Sequence, residues 1–113
     1  PPPSPTVTEV IRNGTSPQKW AAATYAAQNA ALYQLESGRP VIPLGGWLGT
    51  DPAPTLEQFQ ELIAEHRIGY LIGQPDLLAR GELSAETRAI TYWVSSKFKE
   101  QVVDGVHLYD LRE

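Results

Sequence analysis

Apolar residues gather along the chain in short runs that alternate with longer, periodic segments. Residues 19–25, 39–44 and 68–72 form such runs, and short apolar runs of this kind are typical of strands covered on both faces of a parallel sheet. Residues 106–111 instead alternate apolar with polar positions, which predicts a last strand. The pattern therefore predicts four strands.

Three long helices are predicted between these strands, and capping residues mark their ends. Residues 27–37 place small and apolar side chains along one face, and Gly38 follows as a C-cap. The next helix begins at Thr55, which forms a capping box with Gln58 and so satisfies two otherwise unpaired amides. Ser84 begins the third long helix, in which apolar residues recur at helical spacing.

The alternation of strands and helices decides the predicted fold. Strands separated by helices of this length are joined by right-handed crossovers, which make the strands parallel. We therefore predict a small three-layer Rossmann-like α/β domain, with a mostly parallel four-stranded sheet and helices on both faces. Residues 1–17 are predicted to form a proline-rich linker with a short helix at 8–13, and residues 18–113 a single α/β domain.

Composition and charge exclude several classes of function. The 113-residue chain has no cysteine, which rules out thiol catalysis, disulfides and thiolate zinc sites. Its net charge of −4 argues against a nucleic-acid partner, because phosphate binding needs an excess of Lys and Arg. His66 and His107 lie far apart without carboxylates at ligand spacing, so we predict no metal and no cofactor. No stretch reaches the ~20 apolar residues of a membrane span.

The stretch PLGGWLGTDPAPT, residues 43–55, follows the second strand and precedes a helix. Ligands of open α/β sheets bind at such strand ends. The stretch matches neither G-x-G-x-x-G nor a P-loop, which requires a lysine. Two interpretations stay open: a turn in which glycines supply positive φ, or a loop in which Trp47 supports a sugar ring while Asp51 accepts its hydroxyl groups. No Ser-His-Asp arrangement and no other catalytic residues are evident.

Residues 26–72, AAQNAALYQLESGRPVIPLGGWLGTDPAPTLEQFQELIAEHRIGYLI, resemble a known family. The resemblance rests on QNAA at 28–31, SGRPV at 37–41, and the glycine pair, aromatic residue and GTDP within 45–52; the closing VVDGVHLYDL resembles the family's final strand. The family is the soluble C-terminal domain of bacterial polytopic membrane glycosyltransferases, which are family 39-like and mannosyltransferase-like. The family's loop aromatic is commonly phenylalanine, and Trp47 departs from that pattern.

This resemblance implies a parent enzyme that transfers sugar from a polyprenyl-phosphate donor to an acceptor outside the cell membrane. Its catalytic site would lie in membrane helices, and the present chain, which starts with PPPSP and has no methionine, would be a piece of that longer protein. We expect a non-catalytic, extracytoplasmic accessory domain that contacts the acceptor, the donor headgroup or a partner protein, with the membrane-embedded part of the same polypeptide as its first partner.

The candidate ligand-binding residues combine the glycine loop with the pair that precedes it in the resemblance. They are Gln28, Asn29, Gly45, Gly46, Trp47, Gly49, Thr50 and Asp51. Two alternatives stay open for the function. One is a free-standing domain that binds a sugar phosphate or nucleotide, and the other is a purely structural or self-association domain.

Overall fold

The computed structural model describes residues 3–45, 47–48, 51–79, 81 and 83–112. Five helices and seven strands are described in these ranges. In chain order they are α1 (Pro5–Asn13), β1 (Trp20–Tyr25), α2 (Ala27–Ser37), β2 (Val41–Leu44), β3 (Trp47–Leu48), β4 (Asp51–Pro52), α3 (Leu56–Ala64), β5 (Ile68–Ile72), α4 (Pro75–Ala79), α5 (Ala85–Lys97), β6 (Glu100–Val103) and β7 (Val106–Asp110).

The main sheet has five strands in the order β2-β1-β5-β7-β6. Strands β2, β1 and β5 are parallel, whereas β7 is antiparallel to both β5 and β6. The prediction of a mostly parallel, four-stranded Rossmann-like sheet is therefore wrong, and the domain is a small α/β fold with a mixed sheet. Only its first half follows the predicted crossovers.

A tight hairpin explains the difference. Residues Asp104 and Gly105 connect β6 to β7 with φ angles of 51° and 76°. Two consecutive residues with positive φ match the right-handed twist of paired strands, so this turn folds β6 and β7 into an antiparallel pair. The hairpin then joins the sheet through β7, which lies antiparallel to β5.

Helices cover both faces of the sheet, as predicted. On one face, α1 and α2 contribute Val7, Ile11 and Tyr33 to a buried cluster. On the other, α3 and α5 bury Phe59 and Val94. The alanines of β1 are fully buried, and their small side chains let helices approach the middle of the sheet closely. None of the described helices is long and apolar enough to cross a membrane.

The predicted helix ends are confirmed. In the capping box, the Gln58 amide donates to Thr55 Oγ1 at 3.2 Å and the Thr55 amide to Gln58 Oε1 at 3.0 Å. Gly38 has a φ of 69° and ends α2, and Ser84 caps α5. The short helix α1 starts earlier than predicted, because Ser4 caps it and proline is well tolerated in the first turn.

A buried arginine holds the segment between α1 and β1. The Arg39 side chain is nearly inaccessible, and its Nη1 donates to the carbonyls of Arg12 at 2.7 Å and Thr15 at 2.8 Å. Its Nη2 donates to Thr15 Oγ1 at 2.8 Å and to the carbonyls of Ser16 and Lys19. The guanidinium thus replaces regular secondary structure as the partner of these carbonyls.

Candidate functional site

The strand order reverses between β1 and β5. The chain leaves β1 through α2 to reach β2 on one side, and it returns through α3 to β5 on the other side. In open α/β sheets, ligands bind outside the carboxyl ends of strands at such a point. A cleft of about 740 Å³ lies there, lined by parts of α2, by the segment after β5 and by the β6–β7 turn.

Tyr33 is the most buried polar side chain of the cleft. It projects from α2, its ring belongs to the core cluster beneath, and only 8% of the residue is exposed. Burial raises the pKa of its hydroxyl, so the phenol stays protonated. Within the described part of the chain this hydroxyl has no hydrogen-bonding partner. It therefore remains free to donate to a ligand.

Amide and carboxylate groups lie around Tyr33. Asn29 Nδ2 donates to the Tyr25 carbonyl at 3.1 Å, which orients the side chain and leaves Oδ1 as an acceptor. Gln74 and Asp76 follow the end of β5 and also line the cleft. Their backbone is held in place, because the amide of Leu77 donates to the Gln74 carbonyl at 3.1 Å. The cleft thus contains both donors and acceptors.

Asp104 connects two walls of the cleft. The hydroxyl of Ser4 donates to Asp104 Oδ2 at 2.7 Å, which ties the start of α1 to the β6–β7 turn. Hydrogen bonds from Ser4 and Thr6 lower the pKa of this carboxyl group, so it is ionised at neutral pH.

The charge of the cleft is negative. Asp76 and Asp104 line it together with His107, whose Nδ1 lies 2.8 Å from Glu100 Oε2, and among its described lining residues there is neither Lys nor Arg. A smaller pocket of about 260 Å³ at the opposite, amino end of the parallel strands is lined by Lys19, His66 and Arg112. The two ends of the sheet therefore differ in the sign of the charges around their cavities.

The structure brings one of the predicted site residues, Asn29, into the cleft. Gln28 lies beside it on the exposed side of α2, next to a shallow depression. Gly45 has a φ of 79°, and a Cβ atom there would lie 3.1 Å from the hydroxyl of Thr87 in α5. Gly45 thus has the turn conformation of the first interpretation and packs against the helix layer opposite α2.

The rest of the glycine loop remains a prediction. The backbones of Trp47 and Asp51 belong to the two-residue strands β3 and β4, which pair antiparallel. Their side chains, and the residues Gly46, Gly49 and Thr50, lie outside the described part of the chain. The sugar-platform hypothesis therefore stays as it was stated from the sequence.

Several cleft residues were not predicted. Gln74 and Asp76 follow a buried parallel strand directly, so the rule that ligands bind at carboxyl strand ends could have identified them. Tyr33 has the helical spacing of a core residue, and its ring is indeed in the core, so only its hydroxyl is distinctive. Asp104 could not be assigned without the β6–β7 hairpin. Among the described residues, no three acidic or histidine side chains lie close enough together to hold a metal ion.

Comparison with known proteins identifies the family. The family model described as "Putative mannosyltransferase YkcB-like, C-terminal" matches residues 7–97. The protein named "Putative mannosyltransferase YkcB" from Bacillus subtilis (strain 168) is 31% identical over 90 residues, which are 80% of this chain and 12% of that protein. The chain thus spans about an eighth of the length of this relative. No solved structure was found to match. The chain belongs to the YkcB-like family of C-terminal domains of mannosyltransferase-like proteins.

Proposed function

We propose that the chain is a non-catalytic, extracytoplasmic accessory domain of a membrane glycosyltransferase that uses a polyprenyl-phosphate sugar donor. The domain binds the acceptor, the donor headgroup or a partner protein at the carboxyl end of its sheet. Two findings support this proposal: the family membership, and the cleft at the point where the strand order reverses. The carrying observation is the cleft, because its volume is that of a small-molecule site and its polar side chains are accessible to a ligand.

The protonation states of the cleft groups favour binding over catalysis. A general base works best with a pKa near the operating pH. The pKa of Asp104 is instead lowered by its hydrogen bonds from Ser4 and Thr6, and the pKa of the Tyr33 hydroxyl is raised by burial. Both shifts move the groups away from neutral pH, so each stays in one protonation state. Groups of this kind orient a ligand without exchanging protons with it.

The test uses the full-length enzyme in membranes, with three forms compared: wild type, a deletion of this domain, and the double variant Tyr33→Phe with Asp76→Asn. We expect the deletion and the double variant to lower the rate of sugar transfer or to change acceptor choice, at equal amounts of enzyme in the membrane. Unchanged transfer, acceptor choice and abundance after deletion would contradict the proposal.

A second candidate, a structural docking role, is favoured by the outer side of α2. Leu35 is 79% exposed and Leu32 39% exposed, and together with Ala31 they border the depression beside the cleft. An apolar stripe of this kind suits contact with another protein surface. In this case Leu35→Lys would lower the amount of full-length enzyme in the membrane, whereas the double variant of the cleft would leave both abundance and activity unchanged.

A further inference from the structure

Resting on the proposed function, we infer that the cleft at the carboxyl end of β1 and β5 binds an uncharged carbohydrate, the acceptor glycan, and rejects the phosphate headgroup of the donor. Of the three partners named above, this leaves one chemical class. Three features of the cleft support it: its charge, its mixture of donors and acceptors, and the Tyr33 hydroxyl, which has no partner in the described part of the chain.

Charge argues against a phosphate ligand. Phosphate sites in proteins supply Arg or Lys side chains, or several backbone amides, around the anion. Asp76 and Asp104 instead line this cleft, and no described lining residue is Lys or Arg. The two carboxylates would repel a phosphate group.

The pairing of donors and acceptors favours hydroxyl groups. Each sugar hydroxyl donates one hydrogen bond and accepts up to two, whereas an ionised phosphate oxygen only accepts. The cleft provides acceptors at Asp76, Gln74 and Asn29 Oδ1. It provides donors at the Tyr33 hydroxyl and at the side-chain amide nitrogen of Gln74. Only a ligand that both donates and accepts uses the whole set.

The Tyr33 hydroxyl is a further group available to a ligand. Tyr33 is more than nine-tenths buried and lines the cleft, and its hydroxyl has no partner in the described part of the chain. Among the described residues the fully buried side-chain atom without a partner is Arg39 Nε, so the Tyr33 hydroxyl is accessible to solvent although its ring is buried. A ligand hydroxyl in the cleft would therefore replace water as its hydrogen-bonding partner without breaking an internal bond.

The remaining surface and the size of the cleft also suit a carbohydrate. Exposed Leu32 and half-buried Leu77 line it beside the polar groups. A sugar ring combines hydroxyl groups at its edge with apolar C–H groups on its faces, so it can contact both kinds of side chain. The volume of about 740 Å³ lies within the range of small-molecule sites and leaves room for more than one sugar ring.

The experiment is an amide-resolved NMR titration of the chain. The ligands are uncharged trisaccharides of mannose, glucose, galactose and N-acetylglucosamine, compared with mannose 1-phosphate. We expect at least one uncharged trisaccharide to shift the amides of Asn29, Tyr33 and Gln74. We expect mannose 1-phosphate to bind at least about tenfold more weakly than uncharged methyl mannoside, which has the same single ring, because of the two carboxylates. Tyr33→Phe and Asp76→Asn should each weaken trisaccharide binding about fivefold.

Tyr25→Phe is the matched control. Tyr25 lies on the opposite face of the sheet and its hydroxyl is 2.8 Å from Thr91 Oγ1, so its removal should leave trisaccharide affinity unchanged. Tighter or equal binding of mannose 1-phosphate would overturn the inference, and so would shifts confined to other regions or a silent titration at tens of millimolar trisaccharide. If deletion from the full-length enzyme impairs transfer while the titration is silent, the inference fails and the proposed function stands.

Discussion

The two ends of the sheet use their polar side chains differently. At the amino end of the parallel strands, Arg39 donates to carbonyls of residues 12–19, and Arg112 donates to Asp110 at 2.8 Å and to the Gly14 carbonyl at 3.2 Å. At the carboxyl end, the hydroxyl of Tyr33 has no partner in the described structure. Groups that donate to internal acceptors hold the fold together, whereas solvent-accessible groups without an internal partner are available to a ligand. Arg39 Nε also lacks a partner among the described residues, but it is buried and out of a ligand's reach.

Residue types alone would favour the amino-end pocket as the ligand site, whereas the contacts of the side chains favour the cleft. The amino-end pocket has the cationic residues that suggest an anion site, but Arg112 is already paired with Asp110 and packs 5.0 Å from the ring of Tyr70. The cleft has the less conspicuous residues but the larger volume. A comparison of what each group already contacts is therefore more informative than the residue types alone.

The largest predicted effect concerns the amino end. Arg39→Ala should lower the free energy of unfolding by about 3 kcal/mol, because it removes a buried side chain and leaves several part-buried carbonyls without a donor. Chemical denaturation measures this change. Arg67→Ala is the control, since Arg67 is exposed and pairs only with exposed Glu65, and it should cost less than about 0.5 kcal/mol. Equal effects of the two substitutions would contradict a structural role for Arg39.

The two buried tyrosines provide a direct contrast in stability. Tyr25→Phe should cost about 1 kcal/mol, because it removes the 2.8 Å hydrogen bond to Thr91. Tyr33→Phe should change stability by less than about 0.5 kcal/mol, because its hydroxyl makes no internal hydrogen bond in the described structure. Thermal or chemical unfolding of both variants checks the pair. A loss at Tyr33 as large as that at Tyr25 would indicate an internal partner for Tyr33.

Backbone conformation provides a third contrast, on either end of α2. Gly38 has a φ of 69° in the left-handed region, so Gly38→Ala should cost about 1 kcal/mol. Ala26, which lines the cleft, has φ 69° and ψ 141°, a conformation that favours glycine. Ala26→Gly should therefore increase stability, by about 1 kcal/mol. A destabilised Ala26→Gly variant would show that this backbone is not strained.

The smallest predicted effect is the dependence on pH and salt. The pKa of Asp104 is lowered by hydrogen bonds from Ser4 and Thr6, and that of Asp110 chiefly by its hydrogen bond from Arg112, both from 3.8. A lowered pKa in the folded state stabilises the protein above pH 3.8, and this contribution is lost as the pH falls through the folded-state pKa.

Carboxyl titration by NMR at about 0.05 M and about 1 M salt distinguishes the two ends, because salt screens charge pairs more than it weakens hydrogen bonds from hydroxyl groups. High salt should raise the pKa of Asp110 more than that of Asp104. Ser4→Ala serves as the control, because it should raise only the pKa of Asp104. An equal response of the two carboxyl groups to salt would contradict these causes.

The parallel half of the fold was predicted correctly and the hairpin was missed, and the difference has a physical cause. Strands β1 and β5 are buried on both faces, so their side chains carry the apolar signal, and Thr55 with Gln58 marks a helix start by local hydrogen bonds alone. Strand β6 lies at the sheet edge with mostly exposed side chains, so it pairs through its backbone and leaves little pattern. The Asp104-Gly105 pair between two valines is a hairpin signal, and the prediction did not use it.

The sequence predicted a site at the carboxyl end of the sheet, on the loop after β2, and that prediction stays untested; the cleft lies at the same end and is lined by other segments. The loop after β2 was predicted because its glycines and Trp47 give it a composition like that of ligand-binding loops. The cleft instead forms where residues from distant parts of the chain meet, and Asp104 enters it only through the hairpin. The role of the Tyr33 hydroxyl depends on the residues around it. The spacing of residues along a helix does not reveal these neighbours.

The most direct test of this account is amide shift mapping with uncharged trisaccharides on the same sample of the 113-residue chain. We expect amide chemical shifts to change in residues 26–33 and 73–77 at the carboxyl end, and not to change in residues 13–19 at the amino end. Shifts in residues 13–19, or none anywhere, would contradict the claim that the unpaired groups of the cleft are the ones that bind.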